Sequence, residues 1–185
     1  MPPKVRTTRD EIVEEAFRLV REEGVEALNA RSLAKRMGIS TQPIFSNFHN
    51  MAQLKEEVLA KASELYFKKL DEAEEKGDMP PLKARGMAYI DFAREEKWLF
   101  RLLFMDKRDD SLSYPTDDAS REIALVSKSF SLEREGAKRI HALLWFAVHG
   151  IASLFATESL ELDREAVSQA LSDIYQGLKA RFCDG

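Results

Sequence analysis

Cysteine is nearly missing from this 185-residue chain, in which Cys183 is the single example. One thiol can form neither an internal disulfide nor a cysteine-rich metal site, so a reducing compartment such as the cytoplasm is expected. Proline and glycine are also sparse, with 6 and 8 residues, and no linker rich in serine or glycine stands out. These absences favour a helical protein without long flexible tethers.

Long uncharged segments are scarce as well. No apolar segment follows the basic residues near Met1, so we expect no secretory signal. The most apolar stretch, residues 140–157, contains two histidines and lacks flanking anchors. We therefore expect it to be buried rather than to span a membrane, and we expect no membrane partner.

Acidic residues are missing from one window of an otherwise acidic chain. The formal net charge is −4 and the chain contains 32 acids, yet none lies between Ala27 and Asn50. Arg31, Lys35 and Arg36 lie in that window. The overall charge disfavours indiscriminate nucleic-acid binding, whereas this window suits a polyanionic partner.

Apolar residues recur at the helical period almost everywhere, and no strand pattern is convincing. A capping box at Thr8 and Glu11 predicts the start of the first helix. Asn29 and Gly38 predict the two ends of a second helix over residues 30–37, because asparagine caps helix starts and glycine tolerates the left-handed conformation at helix ends.

The third and fourth helices are short and long, respectively. Ser40 is predicted to cap a third helix that carries Pro43 in its first turn, and Asn50 to start the fourth. Residues 106–115 are predicted to form a mobile charged loop. Further helices are predicted over residues 82–95, 98–105, 117–130, 133–157 and 163–181. The predicted fold is all-α with about nine helices: a three-helix domain over residues 1–50 and a larger helical bundle over residues 51–185.

Residues 33–48 have the spacing of a helix-turn-helix. Ala34 lies where the two helices cross, Gly38 makes the turn, and Ile39 and Ile44 fill the space between them. The second helix then faces outward with side chains suited to base edges and phosphates. The outward residues are Thr41, Gln42, Phe45, Ser46 and Asn47. The alternative is an ordinary αα-hairpin that docks on a protein without specific DNA binding.

The run ALNARSLAKRMGISTQPIFSNFHNMAQL, within residues 27–54, resembles the DNA-binding domain of TetR-type (tetracycline-repressor-like) regulators. Downstream, EEKWLFRLLFM is similar to the sixth helix of that family. Trp145, His149 and Gly150 resemble the signature of a Trp-His-Gly subgroup. The resemblance implies an N-terminal DNA-binding domain and a C-terminal domain that binds a ligand and dimerises.

Two positions depart from the family pattern. Phe45 stands where the family has a phosphate-binding tyrosine, so it can only pack or touch a thymine methyl group, and Met51 replaces a lysine. Other cations are expected to compensate, including those of the basic amino-terminal tail. The expected DNA-binding residues are Arg31, Lys35, Ser40, Thr41, Gln42, Phe45, Ser46, Asn47 and Lys55.

The second half is rich in aromatic side chains, as a site for an apolar or amphipathic effector requires. The expected ligand-binding residues are Tyr89, Phe92, Phe104, Phe130, Trp145 and His149. His141 and His149 lie two turns apart, but no carboxylate lies between them on that face, so neither a metal nor another cofactor is expected.

The function expected from these features is a ligand-responsive transcriptional regulator, most simply a repressor released from its operator by a small molecule. A helix that is apolar nearly all round, over residues 133–157, cannot be buried on every side in so small a chain. A homodimer through residues 133–157 and 163–181 is therefore expected. An enzyme is not expected, because the sequence has no phosphate-binding loop, metal-ligand cluster or nucleophile–base set.

Overall fold

The computed structural model describes residues 7–105, 120–159 and 161–183, which form nine α-helices, one 3₁₀ turn and no strand. The helices are α1 Arg9–Glu23, α2 Ala30–Met37, α3 Gln42–Asn47, α4 Met51–Glu75, α5 Pro81–Glu95, α6 Lys97–Phe104, α7 Ser120–Phe130, α8 Arg134–Ala156 and α9 Arg164–Cys183. The predicted all-α fold with about nine helices is confirmed. Part of the basic tail, the predicted loop at 106–115 and the predicted start of the seventh helix at 117–119 lie outside the described residues.

The helices group into two compact units. Among the described residues, unit 1 consists of residues 7–65 and 98–105, and unit 2 consists of residues 66–97, 120–159 and 161–183. The long helix α4 contributes its first part to unit 1 and its last part to unit 2.

Unit 1 begins as the sequence predicts. The Glu11 amide donates to Thr8 Oγ1 at 3.2 Å and the Thr8 amide donates to Glu11 Oε2 at 2.8 Å, which completes the capping box of α1. Asn29 caps α2 by accepting from two backbone amides, and Gly38 ends it in the left-handed conformation with φ of 67°.

The start of α3 differs from the prediction. Thr41, not Ser40, is the N-cap residue, and its side chain makes no capping hydrogen bond. Thr41 is already in a helical backbone conformation (φ −72°, ψ −15°), so the turn leads directly into the helix. Pro43 does lie in the first turn, where backbone amides have no partner within the helix. Asn50 accepts from the Gln53 amide at 2.9 Å and caps α4 as predicted.

Every helix of unit 1 contributes buried apolar side chains to its core. Fully or almost fully buried side chains include Ile12, Phe17, Val20, Leu33, Ile44, Phe48, Leu54, Val58, Leu99 and Phe100. The 3₁₀ turn Val25–Ala27 follows α1 and was not predicted. Gly24 precedes it with φ of 87°, and a Cβ atom there would lie 2.8 Å from the Trp98 ring, so no side chain fits.

Unit 2 packs α5 and α7 against α8, with α9 alongside. One cluster of buried side chains consists of Ile123, Val126, Phe130, Ala137 and Ile140. Helix α8 also presents apolar side chains to solvent, with Leu143, Phe146 and Leu154 exposed by 39%, 58% and 44%. Of the described helices, α8 is long and apolar enough to cross a membrane by length and composition, a test that the core helix of a soluble protein also passes.

Candidate nucleic-acid interface

The turn between α2 and α3 directs α3 toward the surface. The Ile39 amide donates to the Ala34 carbonyl at 3.0 Å, which closes the end of α2 beyond Gly38. Ala34 and Ile44 are buried, with exposures of 4% and 0%, so each of the two helices directs an apolar side chain into the core of unit 1. A six-residue helix is held here by packing, since so short a helix is not stable alone.

The outer face of α3 carries the predicted reading residues. Gln42, Phe45 and Ser46 are exposed, whereas Thr41 and Asn47 are half-buried. Phe45 is 52% exposed, whereas phenylalanine side chains are mostly buried in folded proteins. The structure therefore brings Gln42, Phe45 and Ser46 to the exposed side of α3, whereas Thr41 and Asn47 lie toward its edges.

Two of these side chains already donate hydrogen bonds within α3. Ser46 Oγ donates to the Gln42 carbonyl at 2.9 Å, and Asn47 Nδ2 donates to the Pro43 carbonyl at 2.8 Å. Both acceptors are carbonyls one turn earlier in the same helix, a bonding pattern that serine and asparagine readily adopt.

Arg9 fixes the end of α3 against two other helices. Its guanidinium donates to the Asn47 carbonyl at 2.6 Å and to Glu57 Oε1 at 2.7 Å, and lies 4.2 Å from the centroid of the Phe48 ring. The sequence places Arg9 in the basic tail expected to compensate for lost phosphate contacts. In the structure, the Arg9 guanidinium pairs with Glu57 on α4 and so helps to hold unit 1 together. In the sequence, Glu57 was the one hint of this role.

The cations of the acid-free window divide in the same way. Arg31 and Lys35 lie in the window and are exposed, as is Lys55 beyond it. Arg36 instead pairs with Glu15 and with Glu22 Oε2 at 2.7 Å, both from α1, and these hydrogen bonds to carboxylates raise the pKa of the guanidinium. A window without acids in sequence is thus partly neutralised by acids from another helix.

Three of the predicted ligand-binding residues meet in unit 2. The Tyr89 hydroxyl and His149 Nδ1 lie 2.8 Å apart, and the rings of Trp145 and His149 stack at 4.5 Å with an angle of 13° between their planes. Burial lowers the pKa of His149 and raises that of Tyr89, so both are neutral near pH 7. The arrangement offers flat aromatic faces with a polar centre.

The other three predicted ligand-binding residues do not contact this group directly. Phe92 is linked to it through Tyr66, which was not among the predicted residues, and Phe104 and Phe130 lie elsewhere. Phe92 packs edge-on against Tyr66 at 5.5 Å, and Tyr66 in turn lies 5.8 Å from Tyr89. Phe130 packs on Tyr175 in the buried cluster of unit 2. Phe104 packs on Phe100 at 5.0 Å, within unit 1. In the sequence, nothing except its apolar position on α4 indicated that Tyr66 would join these residues.

Unit 2 also has an open cleft of about 200 Å³, bordered by α4, α5 and the start of α9. Its walls are mostly charged, and Phe92 is the predicted ligand-binding residue that contributes to it. Two ion pairs already cross or flank it, Lys69 with Glu95 and Arg164 with Asp91. Across residues 7–105, 120–159 and 161–183, no three histidine, cysteine or acidic side chains converge on a point suitable for a metal ion.

Comparison with solved structures identifies the fold. A protein of unknown function from Rhodococcus sp. RHA1 superposes with a TM-score of 0.71 over 96% of this chain and 98% of its own, at 21% identity. PfmR, a TetR family transcriptional regulator from Thermus thermophilus, matches with a TM-score of 0.34 and 24% identity over 96% of this chain and 88% of its own. That superposition is loose and carries no weight for the fold, whereas the Rhodococcus structure supports it.

Comparison with known sequences identifies the family. YobS of Bacillus subtilis, described as an uncharacterized HTH-type transcriptional regulator, is 23% identical over 187 residues, covering 96% of each chain. The family model described as "Tetracyclin repressor-like, C-terminal domain" matches residues 82–175, which is just over half of the chain. The resemblance to the Trp-His-Gly subgroup stays a prediction. The match to residues 82–175, together with the helix-turn-helix of α2 and α3, shows that the chain belongs to the TetR (tetracycline-repressor-like) family of transcriptional regulators.

Proposed function

We propose that this protein is a cytoplasmic, ligand-responsive repressor that binds a near-palindromic operator as a dimer. Residues 1–50 form the DNA-binding domain and residues 51–185 the effector and dimerisation domain. The observation that carries the proposal is the exposed face of α3, a six-residue helix presented beyond a left-handed turn in a segment without acids. Such a helix fits the major groove, where its side chains reach base edges.

The proposed DNA surface combines α3 with the cations around it. It consists of Arg31, Lys35, Ser40, Thr41, Gln42, Phe45, Ser46, Asn47 and Lys55. Arg31, Lys35 and Lys55 supply positive charge for phosphates, and α3 supplies the groups that enter the groove. Met51 is half-buried and adds no charge, so the surface depends on these three cations.

A mobility-shift titration with the DNA upstream of the protein's own gene tests the proposal. We expect specific binding to an inverted repeat that weakens steeply with salt, because cations on the protein displace counterions from phosphates. Arg31→Gln and Lys35→Gln should each lower the slope of log K against log salt by about 1. Lys128→Gln, on the exposed side of α7, serves as the control. DNA binding that depends on neither the DNA sequence nor the salt concentration would favour the alternative, in which α2 and α3 dock on a protein.

The proposed dimer pairs α8 and α9 of two copies. The exposed apolar side chains of α8 lie at positions 143, 146 and 154, which share one face of the helix. Gly150 and Gly177 add no side chain, and space around both is open, so a second backbone could approach closely. An apolar stripe of this kind on a soluble helix indicates a protein interface.

The proposed effector is an apolar or amphipathic small molecule bound in the second domain. Tyr89, Phe92, Trp145 and His149 are its proposed contacts, with the stacked Trp145 and His149 rings at the centre, whereas Phe104 and Phe130 pack in other clusters. Binding shifts α4 and changes the distance between the two α3 helices of the dimer. Because half-sites lie about 34 Å apart or at multiples of this, a small change weakens both contacts together.

Linkage makes the effector mechanism testable. If effector and operator oppose each other, each must weaken the other's binding by the same factor. A screen of small apolar compounds by tryptophan fluorescence in a Trp98→Phe variant, which leaves Trp145 as the single tryptophan, finds candidate effectors. Operator titration with and without each hit then measures that factor. A hit that tightens operator binding would show co-repression instead.

A further inference from the structure

We propose that α3 reads an adenine and a neighbouring thymine in each half-site through Gln42 and Phe45, while Ser46 and Asn47 serve the helix itself. The inference rests on the proposed function, since it names what the proposed DNA surface recognises. It starts from the unequal situation of four side chains on one short helix.

Ser46 and Asn47 have their donors engaged. Ser46 Oγ bonds the Gln42 carbonyl at 2.9 Å and Asn47 Nδ2 bonds the Pro43 carbonyl at 2.8 Å. A base contact by either donor would first break one of these bonds, so the exchange gains little. The Asn47 backbone carbonyl is also held by Arg9 at 2.6 Å, which keeps this end of α3 in place.

Gln42 and Phe45 are exposed on the same side of α3. They are three residues apart, so their Cβ atoms lie about 5–6 Å from each other on one helix face. Base pairs in DNA rise by about 3.4 Å, so the two side chains reach base pairs one or two steps apart. A glutamine amide matches the N6 and N7 edge of adenine with two hydrogen bonds.

The phenyl ring of Phe45 favours one base. It cannot hydrogen-bond a phosphate or a polar base edge, and it is 52% exposed in the free protein. The C5-methyl of thymine is the apolar group that the four bases present in the major groove. Packing against that methyl buries apolar surface, whereas cytosine or guanine would lose hydration without a partner.

Selection from a pool of random DNA duplexes with the full chain provides the probe. The enriched half-site is expected to contain an adenine and a thymine within two base pairs. Fluorescence anisotropy then compares this duplex with versions in which one thymine at a time is replaced by deoxyuridine, which removes only the methyl group. In each half-site, replacing the one thymine that contacts Phe45 should weaken binding about fourfold, which is the effect expected for one buried methyl-sized group.

Variants at three of these positions separate the roles of their side chains. Phe45→Ala should bind the thymine and uracil duplexes equally, and circular dichroism checks that this surface variant is folded. Gln42→Ala should lose its base preference at the adenine alone. Ser46→Ala should keep the preferences for the adenine and the thymine, because its hydroxyl donates to the Gln42 carbonyl rather than to a base. Lys128→Gln, on α7 and outside the DNA surface, is the control that should bind within about twofold of the unmodified protein.

Different results overturn different parts. Equal binding of all uracil duplexes by the unmodified protein, or a thymine preference retained by Phe45→Ala, overturns the inference and leaves the proposed function standing. Relaxed base preference in Ser46→Ala overturns the role given to that residue. If selection enriches no sequence at all, the proposed function fails, and this inference fails with it.

Discussion

Arg85 shows how a single charged residue can be accommodated inside a helical unit. Its side chain is 4% exposed, and its guanidinium contacts Asp71 Oδ1 at 2.6 Å, Glu74 Oε2 at 3.2 Å and Glu122 Oε1 at 2.6 Å. These carboxylates come from α4 and α7, so the pairs join both helices to α5. The hydrogen bond from Arg121, in turn, holds the pKa of Glu74 below its usual value.

Replacing Arg85 with methionine should destabilise the protein by about 3 kcal/mol, since it leaves Glu122 partly buried without the Arg85 cation and Glu74 paired with Arg121 alone. The value lies at the lower end for broken buried pairs because these carboxylates, at 16% and 21% exposure, still reach water. Urea unfolding measures the loss. Arg121→Met is the matched control: Arg121 is 59% exposed and pairs with the same Glu74, so its loss should destabilise the protein clearly less than Arg85→Met. Equal losses would contradict the role of burial.

His149 should make stability depend on pH in the mildly acidic range. Burial lowers its pKa, so the unfolded chain takes up a proton at higher pH than the folded one. The stabilisation is fully present above the unfolded pKa of about 6.5 and is lost as the pH falls below it. At pH 5.5 the loss amounts to at most about 1.4 kcal/mol.

Urea unfolding at pH 7.5 and 5.5 checks this. In His149→Gln the free energy of unfolding should differ less between pH 7.5 and pH 5.5, because glutamine does not titrate. Tyr89→Phe keeps the ring and removes only the hydroxyl beside His149 Nδ1, so the pH dependence should persist there. If the pH dependence is unchanged in His149→Gln, it arises from other groups. One of these is His141, because burial lowers its pKa as well.

At the scale of elements, local signals located most helices and longer-range contacts supplied the rest. Asn29 and Gly38 predicted both ends of α2 because each acts within one turn of the chain. The 3₁₀ turn Val25–Ala27 was missed since three residues show no period. The start of α3 was placed one residue early because Ser40 and Thr41 are both acceptable caps, and the backbone conformation alone distinguishes them.

The candidate sites show the same limit. The outward position of Gln42, Phe45 and Ser46 follows from the helical period, and the structure agrees. The pairing of Arg36 with glutamates of α1 could not be predicted, since it depends on how two helices cross. Nor could the link from Tyr66 to Tyr89, which joins α4 to α5.

The attachment of α3 to its neighbours leads to a prediction about Arg9. This residue contacts α3, α4 and the Phe48 ring, so both Arg9→Met and Arg9→Lys should loosen α3. Lysine cannot replace the two-directional hydrogen bonding of a guanidinium. We expect each variant to lose about 1 kcal/mol of stability and several-fold in operator affinity.

The salt dependence of DNA binding separates this positioning role from phosphate contact. If Arg9 positions α3, the slope of log K against log salt should stay within about 0.3 of its original value in both variants. A slope lowered by about 1 in Arg9→Met and kept in Arg9→Lys would instead show that Arg9 touches a phosphate. Lys61→Met removes another cation that pairs with α1 in unit 1, through Glu14, and serves as the control.

At the scale of the whole molecule, dimerisation and operator binding are expected to fail together. Phe146 is 58% exposed on the apolar face of α8, so Phe146→Glu places a charge where the second copy is proposed to dock. Light scattering should show a monomer. Operator affinity should fall by at least about 100-fold, because a monomer engages one half-site and loses the effective concentration of the second.

Phe67→Glu controls for the change of an exposed phenylalanine to a carboxylate, since Phe67 is 40% exposed on α4 rather than on α8. It should remain a dimer and keep operator affinity within about twofold. Thermal unfolding of both variants verifies that each is folded. A Phe146→Glu protein that stays dimeric would place the interface elsewhere, and a monomer that binds the full operator as tightly as the original protein would show that the two α3 helices do not act as a pair.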